Sequence, residues 1–318
     1  MTVTGQVDIT AHPRIAITGG SGFIGRWTVR ALVERGERVA VLSHNPAQAR
    51  KRLGDLGARV TVRYADALDR HSFSDALTGI EVVINAMQFP SFPVEQPRRD
   101  RTFDAVDRQG TAWLLDAAQA MGVRRFVYLS GITVNADAPL PPEAWNRAKW
   151  HAEHAVRASN LDWTILRPAW VYGPDDKTLN LIAAQARYSP VMVVIGRKPQ
   201  MVQPVHVADL AAVVADCVER AETVGQTYVI AGVEPVEIAD LYRAVQRALA
   251  VSRPIVRVPQ AVPKMVAALA ARLPRHLLTA DAINFVTASA VADSQPAIET
   301  FGAIFRSLDD GLRYLHTH

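Results

Sequence analysis

Apolar residues fall along the first two thirds of the chain in short solid runs, separated by amphipathic stretches. Ile15-Ala16-Ile17, Arg38–Ser43, Val60–Tyr64, Val82–Ala86 and Arg125–Ser130 are too short for helices and read as buried strands. Between them, Trp27–Arg35, Pro46–Leu53, the neighbourhood of Phe73–Leu77 and Phe103–Met121 carry helical periodicity, with Gly36 and Gly122 as stops. Trp145–Ser159 predicts another helix, Trp163–Leu166 a strand, Val205–Arg220 an Ala/Val-rich helix and Gln226–Ala231 a further strand. Phe89–Arg101, rich in proline and charge, reads as a surface loop. This alternation predicts an α/β fold on a doubly wound parallel sheet. After Gly232 the alternation is lost, and helical patterns broken by Pro254, Pro259, Pro263 and Pro274 predict a smaller, mostly helical C-terminal lobe.

Composition narrows the function classes. The chain has 318 residues, 49% of them hydrophobic, which supplies a large core. Its net charge of +4 is modest, and Lys and Arg are mostly interleaved with acids. The tight basic clusters, Arg50-Lys51-Arg52 and Arg98-Arg99-Asp100-Arg101, read as solvated faces, so a small-molecule substrate is expected and no nucleic-acid partner. Cys217 is the single cysteine, which rules out an intramolecular disulfide and fits a reducing compartment. No apolar run has membrane-spanning length and no signal-peptide pattern opens the sequence, which makes the cytoplasm the default location.

One stretch carries chemistry. Arg14-Ile-Ala-Ile-Thr-Gly-Gly-Ser-Gly-Phe-Ile-Gly-Arg26 sets a strand, a glycine loop and a helix start in the order a nucleotide-phosphate site requires. Gly19 permits the tight turn, Gly22 lets the backbone approach a pyrophosphate, and Gly25 lets helix and strand pack closely. With Ser21, Phe23 and Ile24 they form the expected anion cradle at a helix N-terminus. The expected division is 11–170 plus 201–232 for a dinucleotide-binding domain, with 171–200 plus 233–318 forming the substrate or lid lobe.

At the end of the second strand, where an acid would bond the adenosine ribose and repel a 2′-phosphate, stand Ser43, His44 and Asn45, with Arg50 slightly beyond. This favours NADP(H) over NAD(H). Ser43 and Asn45 equally suit caps of the following helix. Asp66, followed by Ala67, suits either an adenine contact or a turn cap. Asn85-Ala86-Met87 should lie over the cofactor.

Thr18–Gly25, Phe126-Val-Tyr-Leu-Ser130, Lys149, Leu166-Arg-Pro168, Val171-Tyr-Gly-Pro174 and Val205-His-Val-Ala-Asp209 recur in that order in the extended and atypical short-chain dehydrogenases/reductases, which this chain resembles. The tail, Leu278–Asp281 through Phe301-Gly302 to Leu308–Leu312, is similar to relatives of the 39-kDa accessory subunit of respiratory complex I. The resemblance implies a nucleotide domain, a small lobe closing over substrate, a Lys149 that holds the nicotinamide ribose, and Pro168 at the cofactor.

The catalytic set departs from the family pattern. Such enzymes typically carry a Tyr four residues before the Lys to move the proton; here Trp145 stands there. The usual hydroxyl position falls on Gly131, with Ser130 and Thr133 close but displaced, and a familiar Asn is replaced at Asp107. The expected function is an atypical NAD(P)-dependent oxidoreductase or epimerase-like protein, with Lys149, Ser130 and Thr133 as the catalytic residues. The alternative is a non-catalytic NAD(P)H-binding scaffold or redox sensor. His151 and His154 read as a wet helix face, with no metal site. Ala261–Pro274 reads as a lid helix or as an interfacial helix dipping into a membrane, where a hydrophobic substrate such as a quinone could enter; both imply an apolar substrate rather than a sugar nucleotide.

Overall fold

The computed structural model describes residues 12–89, 94–135, 137–196, 198–263, 265 and 291–317. The lid or membrane reading of Ala261–Pro274 rests mostly on residues outside that set, as does Leu278–Asp281. Among the described residues, no helix is long and apolar enough to cross a membrane, and no group of His, Cys, Asp and Glu could hold a metal ion.

The apolar runs become strands β1 (Ile15–Thr18), β2 (Val39–Ser43), β3 (Thr61–Tyr64), β4 (Val82–Asn85), β5 (Arg125–Leu129) and β6 (Asp162–Pro168). Helices α1 (Phe23–Glu34), α2 (Pro46–Leu53), α3 (Ser72–Ala76), α4 (Gly110–Ala120) and α5 (Ala144–Ala158) connect them. The chain then runs through β7 (Val171–Tyr172), α6 (Lys177–Tyr188), β8 (Met192–Ile195), β9 (Met201–Val202), β10 (Val205–His206), α7 (Val207–Asp216) and β11 (Gln226–Ile230). It ends in β12 (Val236–Glu237), α8 (Ile238–Ala248), β13 (Ile255–Val258), α9 (Gln295–Phe301) and α10 (Leu308–Gly311).

Seven strands form one parallel sheet in the order β11-β6-β5-β4-β1-β2-β3. Its faces are told apart by strand alternation: Ile15 and Ile17 join the core under α1, α7 and α9, while Ala16 joins the opposite core of α4 and α5. The chain moves outward one way from β1 through β2 to β3, then returns to start the other half at β4. The carboxyl ends of β1 and β4 therefore flank the crevice where such sheets bind ligands.

Three readings need correction. Phe103–Met121 is not one regular helix: Phe103–Gln109 is π-helical and α4 begins only at Gly110. Strand β13 lies in the region read as helical and pairs parallel with β8, a partner some sixty residues away that no local pattern announces. The boundary of the lobe also shifts. Ala297, Phe301 and Phe305 pack in the sheet's own core, with the Phe301 ring 5.1 Å from Tyr228, so α9 covers the sheet rather than the lobe. The lobe's core is Leu179, Ile182, Leu241 and Val245 together with Tyr172, Leu312 and Leu315.

Candidate cofactor and substrate site

The glycine loop closes on itself through Gly22 N–H to Gly19 O at 2.8 Å. Gly19 has φ +67, and a Cβ there would lie 2.8 Å from the Ala86 carbonyl carbon. A Cβ on Gly25 would lie 2.6 Å from Gly20 Cα and inside contact distance of the Gly19 carbonyl. A Cβ on Gly20 would lie 2.8 Å from a methyl of the Ile17 side chain. Gly22 is the N-cap of α1; no side chain caps that end and its first turn holds no acid. Its free N–H groups and positive dipole end thus face the β1/β4 crevice beside exposed Gly22 and half-buried Ser21. Phe23 and Ile24 open the helix. These residues fit a dinucleotide pyrophosphate.

Asn85 acts differently from the expectation that it lies over the cofactor. It is fully buried: its Oδ1 accepts from the Thr18 hydroxyl at 2.8 Å and Met87 N–H at 3.1 Å, and its Nδ2 donates to Thr111 at 3.0 Å. The side chain braces the ends of β1 and β4 against α4, leaving Ala86 and Met87 backbone at the crevice. Met87 and Ala67 sit against Gly110, where a Cβ would find both at 3.1 Å.

On the far side of β1, Asn45 caps α2 by accepting from Gln48 N–H at 3.0 Å, and its own N–H donates to Ser43 Oγ at 3.1 Å. Capping therefore engages Ser43 and Asn45. His44 and Arg50 are exposed, and no carboxylate ends β2. Asp66 caps its own turn by accepting from Leu68 N–H at 3.0 Å.

The other half of the crevice holds the departures from the family pattern: Trp145 meets Gly131, and Asp107 meets Lys149. The π-helical turn carries Asp107 inward to Lys149, with Nζ to Oδ1 at 3.0 Å and both side chains buried. Lys149 also donates to the Leu129 carbonyl at 3.3 Å and lies 5.2 Å from the Tyr128 ring. Burial opposes the ammonium, yet the contact with the Asp107 carboxylate favours it, and the Lys149 pKa stays above its ordinary value. Burial also pushes the Tyr128 phenol up, with Lys149 only partly opposing. The Trp145 ring fills the space above Gly131, where a Cβ would lie 2.9 Å from Cζ2 and nearer still to Cη2. Phe89, Phe103, Val106 and Ala148 form an apolar cluster against which Trp145 and Met87 pack. The Phe89 and Phe103 rings meet edge-on at 4.8 Å.

Of the expected catalytic residues, Lys149 and Ser130 come together at the end of β5. The Ser130 hydroxyl is buried without a hydrogen-bond partner. Thr133 does not join them; it is exposed and donates to Asn146 Oδ1 at 2.7 Å, because the turn after β5 swings it onto the first turn of α5. Pro168 ends β6, its carbonyl accepting from Ile132 N–H at 3.0 Å. Asp107 and Trp145 were visible in the sequence as substitutions. Their contacts, and Tyr128, were not.

On the lobe side, His206 caps α7 with Nδ1 accepting from Ala208 N–H at 3.2 Å, and Asp209 pairs with Arg306 at 2.9 Å. Burial, with help from Arg306, lowers the His206 pKa to about 4. The folded protein therefore holds His206 neutral, while the unfolded chain protonates it at its ordinary value near 6.5. The resulting stability is fully present above about pH 6.5 and is lost as pH falls toward 4. After discounting for solvent screening it amounts to on the order of 2 kcal/mol. Melting of the His206→Asn variant, which keeps a capping oxygen, is expected to lose less between pH 7 and pH 4.5 than the wild type does; an equal loss would refute this.

The family of NAD(P)H-binding proteins matches residues 19–221. The mitochondrial NADH dehydrogenase [ubiquinone] 1 alpha subcomplex subunit 9 of Arabidopsis thaliana is 30% identical over 221 residues, 68% of this chain and 53% of that protein. The chain thus spans about half the length of that relative. Ceramide reductase of Caulobacter vibrioides is 30% identical over 313 residues, covering 95% of this chain and 84% of its own. Among solved structures, UDP-glucuronic acid 4-epimerase from Bacillus cereus superposes with a TM-score of 0.76 at 19% identity, over 96% of this chain and 98% of that one. An NADPH-dependent quinone oxidoreductase from Escherichia coli gives 0.71 at 22%, over 95% and 99%. These two share the fold. The chain belongs to the NAD(P)H-binding family, as an atypical short-chain dehydrogenase/reductase of the oxidoreductase and epimerase-like kind.

Proposed function

We propose that this protein is an NADPH-dependent oxidoreductase that reduces an apolar, quinone-like acceptor without a positioned side-chain acid. The observation that carries the reading is the interlocked pair Gly131 and Trp145 beside buried Lys149. An indole N–H donates a hydrogen bond but does not titrate near neutral pH. Tyr128 does not replace the missing phenol, since burial raises its pKa.

When bound, the nicotinamide supplies a hydride, that is, two electrons and one hydrogen nucleus. The chain's residues then decide which acceptors suffice. Reduction of a quinone leaves a hydroquinone anion about as basic as tyrosinate, whose parent acid has a pKa near 10, and water protonates it. An aliphatic ketone would leave an alkoxide, nearly as basic as hydroxide, and would need a donor. Ser130 can orient the acceptor oxygen by a hydrogen bond, and the half-buried Trp145 indole over Gly131 gives that end of the site an apolar face. The relative named a ceramide reductase supports reduction as the class of reaction.

NADPH is expected to bind more tightly than NADH, since no acid ends β2 and His44 and Arg50 stand exposed beside it. One charge-assisted contact to the 2′-phosphate contributes about 1.5–3 kcal/mol, on the order of tenfold or more. Calorimetric titration of both nucleotides, on wild type and on His44→Ala and Arg50→Ala, tests this; equal affinities would refute the preference. Oxidation of bound NADPH by a panel of quinones tests the reaction. If NADPH binds and neither quinones, aldehydes nor ketones oxidise it, the reading fails and the non-catalytic scaffold or sensor stands instead.

A further inference from the structure

We infer that Asp107 sets the charge of the nicotinamide end of the site and so decides how the protein discriminates oxidised from reduced cofactor. The inference rests on the nicotinamide dinucleotide occupying the β1/β4 crevice, as in the reading above.

With the pyrophosphate on the Gly19–Gly25 loop and the adenosine toward β2, the other half of the dinucleotide extends across the carboxyl ends of β4 and β5. Lys149 meets β5 at that end, through the Leu129 carbonyl. Its ammonium would by itself place a buried positive charge there. Asp107 cancels it: the two side chains are in contact at 3.0 Å, and the Asp107 carboxyl is wholly buried. Burial pushes the Asp107 carboxyl up and Lys149 pulls it down; while the two are ionised in contact, their charges cancel and the pair carries no net charge. Of the other ionisable groups nearby, Tyr128 stays neutral, and Glu153 is bound bidentately by Arg167 at 3.0 and 2.6 Å. Glu95 accepts from Phe103 N–H at 2.7 Å. The local balance therefore turns on Asp107.

The oxidised nicotinamide ring is a cation and the reduced ring is neutral. A neutral Asp107–Lys149 pair leaves the cation unopposed, whereas a lone Lys149 ammonium repels it through a partly desolvated medium. The π-helical turn serves this arrangement, because its extra residue per turn rotates Asp107 inward toward α5.

The test measures the dissociation constants of NADP+ and NADPH, and of NAD+ and NADH, by calorimetry at pH 6, where an isolated amine stays protonated. Asp107→Asn preserves shape and removes the charge. The ratio of oxidised to reduced dissociation constants is expected to rise on the order of tenfold relative to wild type. Asp107→Asn combined with Lys149→Met is neutral again, and its ratio is expected to return to the wild-type value even though both affinities fall. An unchanged ratio in folded Asp107→Asn, or a double variant that keeps the single variant's ratio, overturns the inference. Failure of the wild type to bind any of the four nucleotides overturns the cofactor reading instead.

Discussion

Gly25→Ala is expected to weaken NADPH binding by about a hundredfold or more while leaving the chain folded. One methyl suffices because the added Cβ has no open direction: it meets Gly20 Cα at 2.6 Å and the Gly19 carbonyl closer still. These are backbone atoms of the loop itself, so relief requires α1 to move off β1. That shift carries the α1 N-terminus away from the anion it faces, and a displacement of about 1 Å costs a positioned site roughly 10². Gly36→Ala is the control. Gly36 also needs a glycine-like backbone, with φ +85, but a Cβ there meets nothing within 4 Å. It is expected to cost about 1 kcal/mol of stability with affinity unchanged. Calorimetry and thermal melts on both variants check this, and near-wild-type affinity in Gly25→Ala would remove the loop from the site.

The second large effect is expected at Gly131 and Trp145, which act as one unit. Gly131→Ser alone drives a side chain into the indole, 2.9 Å from Cζ2 before any hydroxyl is added, and overpacking of this kind costs about 1–3 kcal/mol. Trp145→Tyr alone opens a void above Gly131. Made together, the two substitutions trade the indole for a phenol and a hydroxyl that fit the shared space. Their stabilities are expected to be non-additive by about 0.5–3 kcal/mol in the favourable direction. The double variant is also expected to gain ketone reduction over wild type by about 10²–10⁴, the contribution of a positioned general acid. Additive stabilities would show that the residues do not share the space. A stable double variant with no gain would show that Asp107, by holding Lys149, keeps the new phenol untuned.

How much of this was legible in the sequence depended on how local each signal was. The parallel sheet could be read because Ile15–Ile17 and Val82–Ala86 are apolar runs bounded by turn residues, a pattern fixed within a few residues. The glycine loop was legible for the same reason; the closeness of Gly20 to Ile17 and to Val41 on the neighbouring strand was not. Trp145 and Gly131 were each visible as departures, but their contact joins positions fourteen apart across a strand end. The π-helical turn is invisible to a 3.6-residue periodicity. Spacing along the chain says nothing of the way a turn swings, so it sets Thr133 near Lys149 whereas the structure sets it on Asn146. His206 and Asp209 stand at the start of a helix, as the Val205–Arg220 pattern predicts. Their partner Arg306 lies about a hundred residues on, beyond any periodic pattern.

The central claim is that the site moves a hydride without a titrating side-chain acid. It is tested most directly by single turnovers of the NADPH-loaded protein with a quinone and with a ketone of the same carbon skeleton, from pH 6 to pH 9. The quinone is expected to oxidise NADPH at least about 10² faster than the ketone, with a rate flat across that range. A ketone reduced as fast as the quinone, or a quinone rate that falls through a single ionisation, would show a working proton donor in the site and contradict the claim.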